Sequence, residues 1–183
     1  FHLPGRSAVL ATNGMCATSH PLAATTAIEI LKKGGNAVDA AVAGAVLLGI
    51  CEPQMTGLGG DMFALIQKDP TSDVVALNGS GRAPKLVNAA DLRAKGFNSV
   101  PLRGIDAVTL PGAVDGFCQI IKDFGNLNLD EILAPTIHYA REGVPVAPRV
   151  AFDWNEGSNA LQGSAIDRFL IGGCAPKAGQ MFR

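Results

Sequence analysis

One segment limits what this chain can fold into more than any other: AVDAAVAGAVLLGIC, residues 37–51. Its apolar residues do not fall on one stripe; they cover nearly every face of a helix. Such a helix cannot lie on a surface and belongs at the centre of a core. It is too short, and too rich in Ala and Gly, to read as a membrane span, which needs about 20 apolar residues. Its ends are written into the sequence. Asn36 can cap it, and Asp39 stands at the third helical position, where a carboxylate suits the positive end of the helix dipole.

Other elements group around it. HPLAATTAIEILKKGG predicts a helix over 21–33, with Pro21 at the first position, Lys32 and Lys33 in the last turn and Gly34 as the stop. Asn13-Gly14, between two short apolar runs, predicts a hairpin, because a type I′ turn needs positive φ at both central residues. DMFALIQKD and DVVALNG predict strands near 61–68 and 74–78, joined by DPTSD. These strands and the hairpin are expected in sheets covered by helices 21–33 and 36–50. NAADLRAKG reads as a short capped helix. PGAVDGFCQIIKDFG and LDEILAPTIHYAREG read as helices stopped by Gly125 and Gly143, and RVAFDWNEGSNALQ as a further helix. Strands come early and helices follow, which gives an α+β class rather than a run of βαβ units. The chain stops at CAPKAGQMFR without an evident closing element, so it reads as the front of a longer polypeptide.

Composition removes several functions. Formal net charge is -1, which leaves no electrostatic footprint for nucleic acid, and aromatics at 5% are too few for base-stacking platforms. With 48% hydrophobic and 17% charged residues, disorder is not expected. FHLPGRSAVL has no basic flank followed by an apolar core, so no signal peptide is visible and a cytoplasmic location is the expectation. Cys16, Cys51, Cys118 and Cys174 lie far apart with no C-x-x-C pair. They read as small buried hydrophobes that fit a reducing compartment, not as a zinc site.

Three stretches invite chemistry. In EPQMTGLGGDMFALI, Gly57, Gly59 and Gly60 precede a strand. The run lacks the Lys-Ser/Thr of a P-loop, and phosphate loops precede a helix, so close backbone packing is the favoured reading. His20 and His138 suggest a Ser-His-Asp set, but no G-x-S-x-G elbow accompanies them, and a mid-helix histidine is more often structural. NGSGRAPK, residues 78–85, presents Ser80 and Arg82 in a loop after a strand. Arg82 could grip a carboxylate with two hydrogen bonds, or it could be a solvated or salt-bridged turn residue.

Taken together, GMCATSHPLAATTAIEILKKGGNAVDAAVA, CEPQMTGLGGDMFALI and TLPGAVDGFCQIIKDFGNLNLDEILAPTIHYAREGVPV resemble, in order, three blocks of the gamma-glutamyltransferase family. The resemblance runs from about Arg6 to Arg183. It implies the N-terminal nucleophile hydrolase fold, a four-layer αββα sandwich, with residues 1–183 as one incomplete domain from the front of the large subunit. In that family a precursor cuts itself, and the new N-terminal Thr of the small subunit attacks an amide. A free α-amino group beside the Thr hydroxyl serves as its base. The implied partners are the rest of the large subunit, the Thr-led small subunit and a small-molecule amide such as a γ-glutamyl compound. No metal or organic cofactor is implied.

The resemblance places no catalytic residue in this chain. Thr25-Thr26 sits within a predicted helix and does not match the family's cleavage motif. In well-known transferases an Arg before an Ala-Pro pair holds the substrate α-carboxylate. Alignment on Ala83-Pro84 puts Ser80 at that place, with Arg82 two residues later. Ser80 and Arg82 are therefore the implied substrate-binding residues. NGSGRAP resembles the transferase-like branch, which opens two alternatives: an acylase without γ-glutamyl preference, or a non-catalytic scaffold. The glycine run is expected to let a core strand pass near the active-site wall.

Overall fold

The computed structural model describes residues 7–183. Two long helices come first, α1 (Pro21–Lys32) and α2 (Ala37–Cys51). The predicted caps form. Asn36 accepts from the Val38 and Asp39 N–H groups, and the Asp39 carboxylate accepts from the Asn36 N–H at 2.8 Å, completing a capping box. The central place predicted for α2 is correct: Asp39, Ala40, Val42, Ala43, Gly44, Val46, Leu47 and Cys51 are all buried. Gly44 lies against the Ala23 carbonyl, so its lack of a side chain brings α1 and α2 close.

Strands β1 (Met62–Ile66) and β2 (Val75–Gly79) pair antiparallel, with Met62 opposite Gly79 and Ile66 opposite Val75. Their turn is fixed by Asp69, whose side chain accepts from the Thr71 hydroxyl at 2.6 Å and the Thr71 N–H at 2.9 Å. These bonds hold the Asp69 carboxyl below its usual range, because they favour its charged form. Alternate residues divide the sheet: Met62, Ala64 and Ile66 face the helices, while Phe63 and Leu65 are exposed on the other side.

A short helix α3 (Ala89–Ala94), capped by Asn88, and a 3₁₀ turn at Ile105–Ala107 lead to α4 (Ala113–Phe124) and α5 (Leu129–Glu142). Here one expectation is corrected. It is α4 that lies directly on β1 and β2, while α2 packs against α1, α4 and α5. The main core joins Ala27, Ile30, Val42, Ala43, Val46, Met62, Ile120 and Ile132.

The last part forms a second, smaller core. Strand β3 (Val144–Pro145) pairs with β4 (Met181–Phe182), and between them run α6 (Pro148–Gly157), a 3₁₀ turn at Ser158–Ala160 and α7 (Ser164–Phe169). Val146, Val150, Trp154 and Phe182 are buried together. The Phe182 ring stands edge-on to Trp154 at 4.7 Å between centroids. CAPKAGQMFR therefore ends in a paired strand and a buried aromatic, where the sequence showed no closing element. Two-residue strands carry no periodicity, so only the partner strand reveals them.

Two further expectations fail. No hairpin forms at Asn13-Gly14. Gly14 has φ +138°, but no non-glycine residue among those described has positive φ, so Asn13 cannot supply its half of a type I′ turn. Residues 7–15 are exposed and belong to no helix or strand. The cysteines also divide: Cys51 is buried and Cys16 half-buried, whereas Cys118 and Cys174 are exposed.

Candidate functional site

The loop that carries Ser80 and Arg82 is held in a three-way clasp of backbone bonds and one side-chain carboxylate. From one side comes the end of the glycine run. The Gly60 carbonyl accepts the N–H groups of Gly112 (3.1 Å) and Ala113 (3.0 Å), which ties the run to the start of α4. The next residue, Asp61, accepts the Gly81 N–H on Oδ1 at 2.8 Å. From the other side, the Leu110 N–H donates to the Arg82 carbonyl at 3.0 Å. The clasp demands glycine at specific positions. A Cβ on Gly81 would collide with the Leu110 carbonyl oxygen, and one on Gly112 with the Gly79 carbonyl oxygen. At Gly79 it would lie 2.8 Å from Met62 Cγ.

This geometry revises the reading of the glycine run. Gly60 takes part in the clasp through its carbonyl, but a Cβ at Gly57 or Gly59 would meet nothing within 4 Å. Close backbone packing explains Gly79, Gly81 and Gly112, not Gly57 and Gly59. The sequence signal for the clasp was the recurrence of glycine at the end of one strand and just before a helix, positions that only the fold brings together.

Ser80 and Arg82 are both exposed. The Ser80 N–H donates to Asn78 Oδ1 at 2.9 Å, a local Asx turn that shapes the loop. The ion pairs among the described residues are Lys95–Asp106 and Arg149–Asp153, so Arg82 is not committed to a salt bridge within them. Neither Ser80 nor Arg82 is among the residues that line the main clefts formed by the described residues. Beside their loop lies a cleft of about 340 Å³ whose lining includes Ser19, Glu52, Thr56, Gly57, Asp61 and Phe117. Ser19 Oγ donates to Glu52 Oε2 at 2.7 Å. A larger cleft, about 820 Å³, opens among the start of α2, strand β1 and the end of α4.

The histidines form no triad. His20 is 5% exposed and caps α1, its Nδ1 accepting the Leu22 N–H at 3.2 Å. His138 is exposed on α5 beside Tyr139. Thr25 and Thr26 lie inside α1, so neither has a free α-amino group to act as its base. Burial, aided by the nearby Glu52 charge, pushes the Cys51 thiol up to about 11, so it stays protonated and unreactive at neutral pH. Among the described residues no group of three or more His, Cys, Asp or Glu is placed to hold a metal ion, and no helix is long and apolar enough to cross a membrane.

The arrangement of helices over a small sheet is shared with solved N-terminal nucleophile hydrolases. Cephalosporin acylase from Bacillus halodurans superposes with a TM-score of 0.91 at 40% identity, over 100% of this chain and 36% of that one. The chain belongs to the gamma-glutamyltranspeptidase family, whose model matches residues 23–183. A glutathione hydrolase-like proenzyme of Bacillus subtilis is 41% identical over 177 residues, covering 95% of this chain and 33% of the relative. The oxamate amidohydrolase proenzyme of Klebsiella pneumoniae is 35% identical over 186 residues, covering 97% of this chain and 34% of the relative. The chain thus spans about a third of the length of these curated relatives.

Proposed function

We propose that this chain is the substrate-loop part of an amide hydrolase or acyltransferase that works through an acyl-Thr intermediate, with the nucleophile outside the residues described. The observation that carries the reading is the family match over residues 23–183. The remainder of the large subunit and a Thr-led small subunit complete the site, and the substrate is a small-molecule amide. Ser80 and Arg82 are its contacts in this chain. Both side chains are exposed, and they leave from a backbone fixed at Gly81 and Arg82.

A second reading concerns the acyl group. Ser80 occupies the place where transferases keep a carboxylate-binding Arg, and a neutral hydroxyl offers one hydrogen bond and no charge. That favours an acyl group other than γ-glutamyl. The relative named oxamate amidohydrolase and the structure named cephalosporin acylase support this reading.

Expression of the complete polypeptide tests both. The expected result is self-cleavage to a fragment beginning with Thr, followed by hydrolysis in a panel of glutathione, oxamate and a glutaryl anilide. Preference for glutathione would reject the second reading. Absence of both cleavage and hydrolysis would leave the scaffold as the surviving description.

A further inference from the structure

One member of the clasp has no role in the reading above. Asp61 closes the glycine run and directly precedes β1. Its Oδ1 takes the Gly81 N–H at 2.8 Å across 20 residues of sequence. Its neighbour Gly60 turns its carbonyl onto Gly112 and Ala113. These two consecutive residues therefore tie the loop and the start of α4 to a single point. Beyond Gly81, the Arg82 carbonyl is fixed by the Leu110 N–H at 3.0 Å, and Gly81 has no room to shift toward Leu110.

The same bonds decide which loop atoms remain free. Consecutive backbone N–H groups in a turn make an anion-binding concavity when they are unoccupied. Here the Ser80 N–H is taken by Asn78 Oδ1 and the Gly81 N–H by Asp61 Oδ1. Those two N–H groups are closed to a substrate anion, and the Ser80 hydroxyl and the Arg82 guanidinium remain as side-chain donors of the loop. The Asp61 carboxylate also stands in the wall of the 340 Å³ cleft, which Glu52 lines as well. An acidic acyl group entering there meets like charge at short range.

We propose that Asp61 is a positioning residue for the substrate loop: by holding the Gly81 N–H it sets where Ser80 and Arg82 meet substrate, and its charge disfavours acidic acyl groups. The proposal rests on the reading of residues 78–84 as substrate-facing. It assigns position to the carbonyl-like oxygen of Asp61 and selectivity to its charge, and the two separate by substitution. Asp61→Asn keeps an acceptor and removes the charge. Asp61→Ala removes both.

The experiment uses the complete self-processed protein, with deuterium exchange of the peptide spanning 79–84 and kinetics on glutaryl and butyryl p-nitroanilides. In Asp61→Ala, exchange at Gly81 should accelerate at least ten-fold. The KM for the better anilide should rise about five-fold with kcat within two-fold, while precursor cleavage proceeds as in wild type. In Asp61→Asn, exchange should stay within three-fold of wild type, and the glutaryl-to-butyryl ratio of kcat/KM should rise at least three-fold. Wild-type exchange in Asp61→Ala would overturn the positioning role. An unchanged ratio in Asp61→Asn would overturn the charge role. Unchanged kinetics in both Ser80→Ala and Arg82→Ala would instead reject the substrate-loop reading itself. Altered kinetics there, with Asp61→Ala behaving as wild type, would reject Asp61 alone.

Discussion

Asp39 and Asn126, 87 residues apart in sequence, meet in the interior: both carboxylate oxygens of Asp39 lie within 3.1 Å of the Asn126 backbone nitrogen and accept its N–H. Asp39 is fully buried, and one of the same oxygens also accepts the Asn36 N–H. A single carboxylate thus caps α2 and pins the turn between α4 and α5. Gly125 is required beside it, since a Cβ there would lie 2.6 Å from Asp39 Oδ1. Asp39→Ala leaves two backbone donors without their partner and should lower unfolding free energy by roughly 3 kcal/mol, measured by urea denaturation. Asp39→Asn keeps one acceptor oxygen and should cost about half as much. Equal losses in the two variants would show that packing, not hydrogen bonding, fixes the turn.

The glycines of the clasp and of the preceding run should behave oppositely. Gly81→Ala forces the Leu110 backbone to move and should cost about 2 kcal/mol, the range seen when a packed site is overfilled. Gly59→Ala meets open space, has no positive φ and should change stability by less than about 0.5 kcal/mol. Thermal melts of the two variants side by side check this. A Gly81→Ala protein as stable as wild type would contradict the geometry of the loop.

Arg82 tests the substrate reading. It is exposed and outside any ion pair of the described residues, so a substrate carboxylate bound there would be screened by solvent. Arg82→Ala should raise KM about five-fold for an amide with an acidic acyl group, equivalent to about 1 kcal/mol. It should spare self-cleavage. Arg82→Lys should restore part of the loss, because it keeps the charge but not the planar fork. Steady-state kinetics on the complete protein settle the point, and an unchanged KM would assign the contact to Ser80 alone.

Cys51 predicts a pH dependence. Its thiol is pushed from an ordinary 9.0 up to about 11 by burial and then by Glu52. Below pH 9 the thiol is protonated in folded and unfolded chains alike and contributes nothing to the slope. Between about pH 9 and 11 the unfolded chain ionises and the folded one does not, so stability falls with rising pH, by about 2 kcal/mol at most. Denaturation at pH 8 and pH 10.5 should show this loss, and Cys51→Ala should shrink it. Under native conditions a thiol reagent should label Cys118 and Cys174 quickly and Cys51 only after unfolding.

The chain's only tryptophan reports on its C-terminal core. Trp154 is 4% exposed and is covered by the Phe182 ring. Phe182→Ala should shift its fluorescence to the red and cost about 3 kcal/mol, the lower end for a buried aromatic. A spectrum identical to wild type would mean that β4 does not close over α6.

The sequence by itself determined the elements whose cause is local. Pro21, Asn36, Asp39 and Asn88 marked helix starts because a cap acts within three or four residues of itself. The all-round apolar character of 37–51 placed α2 at the centre, since no other place removes that surface from water. The apolar runs DMFALIQKD and DVVALNG, with DPTSD between them, marked the two paired strands. Tertiary structure decided whatever depends on a partner distant in sequence. Asn13-Gly14 carried the turn signal, but the φ of Asn13 is set by what surrounds it. Strands β3 and β4 exist only as a pair. Cys118 and Cys174, apolar in character, are exposed because their faces of the fold carry no cover among the described residues. The candidate loop shows the division most clearly. Ser80 and Arg82 could be read as chemistry from residue type. What fixes them is Asp61 and Leu110, 20 and 28 residues away from the backbone groups they hold, and no local pattern specifies a hydrogen bond across that distance.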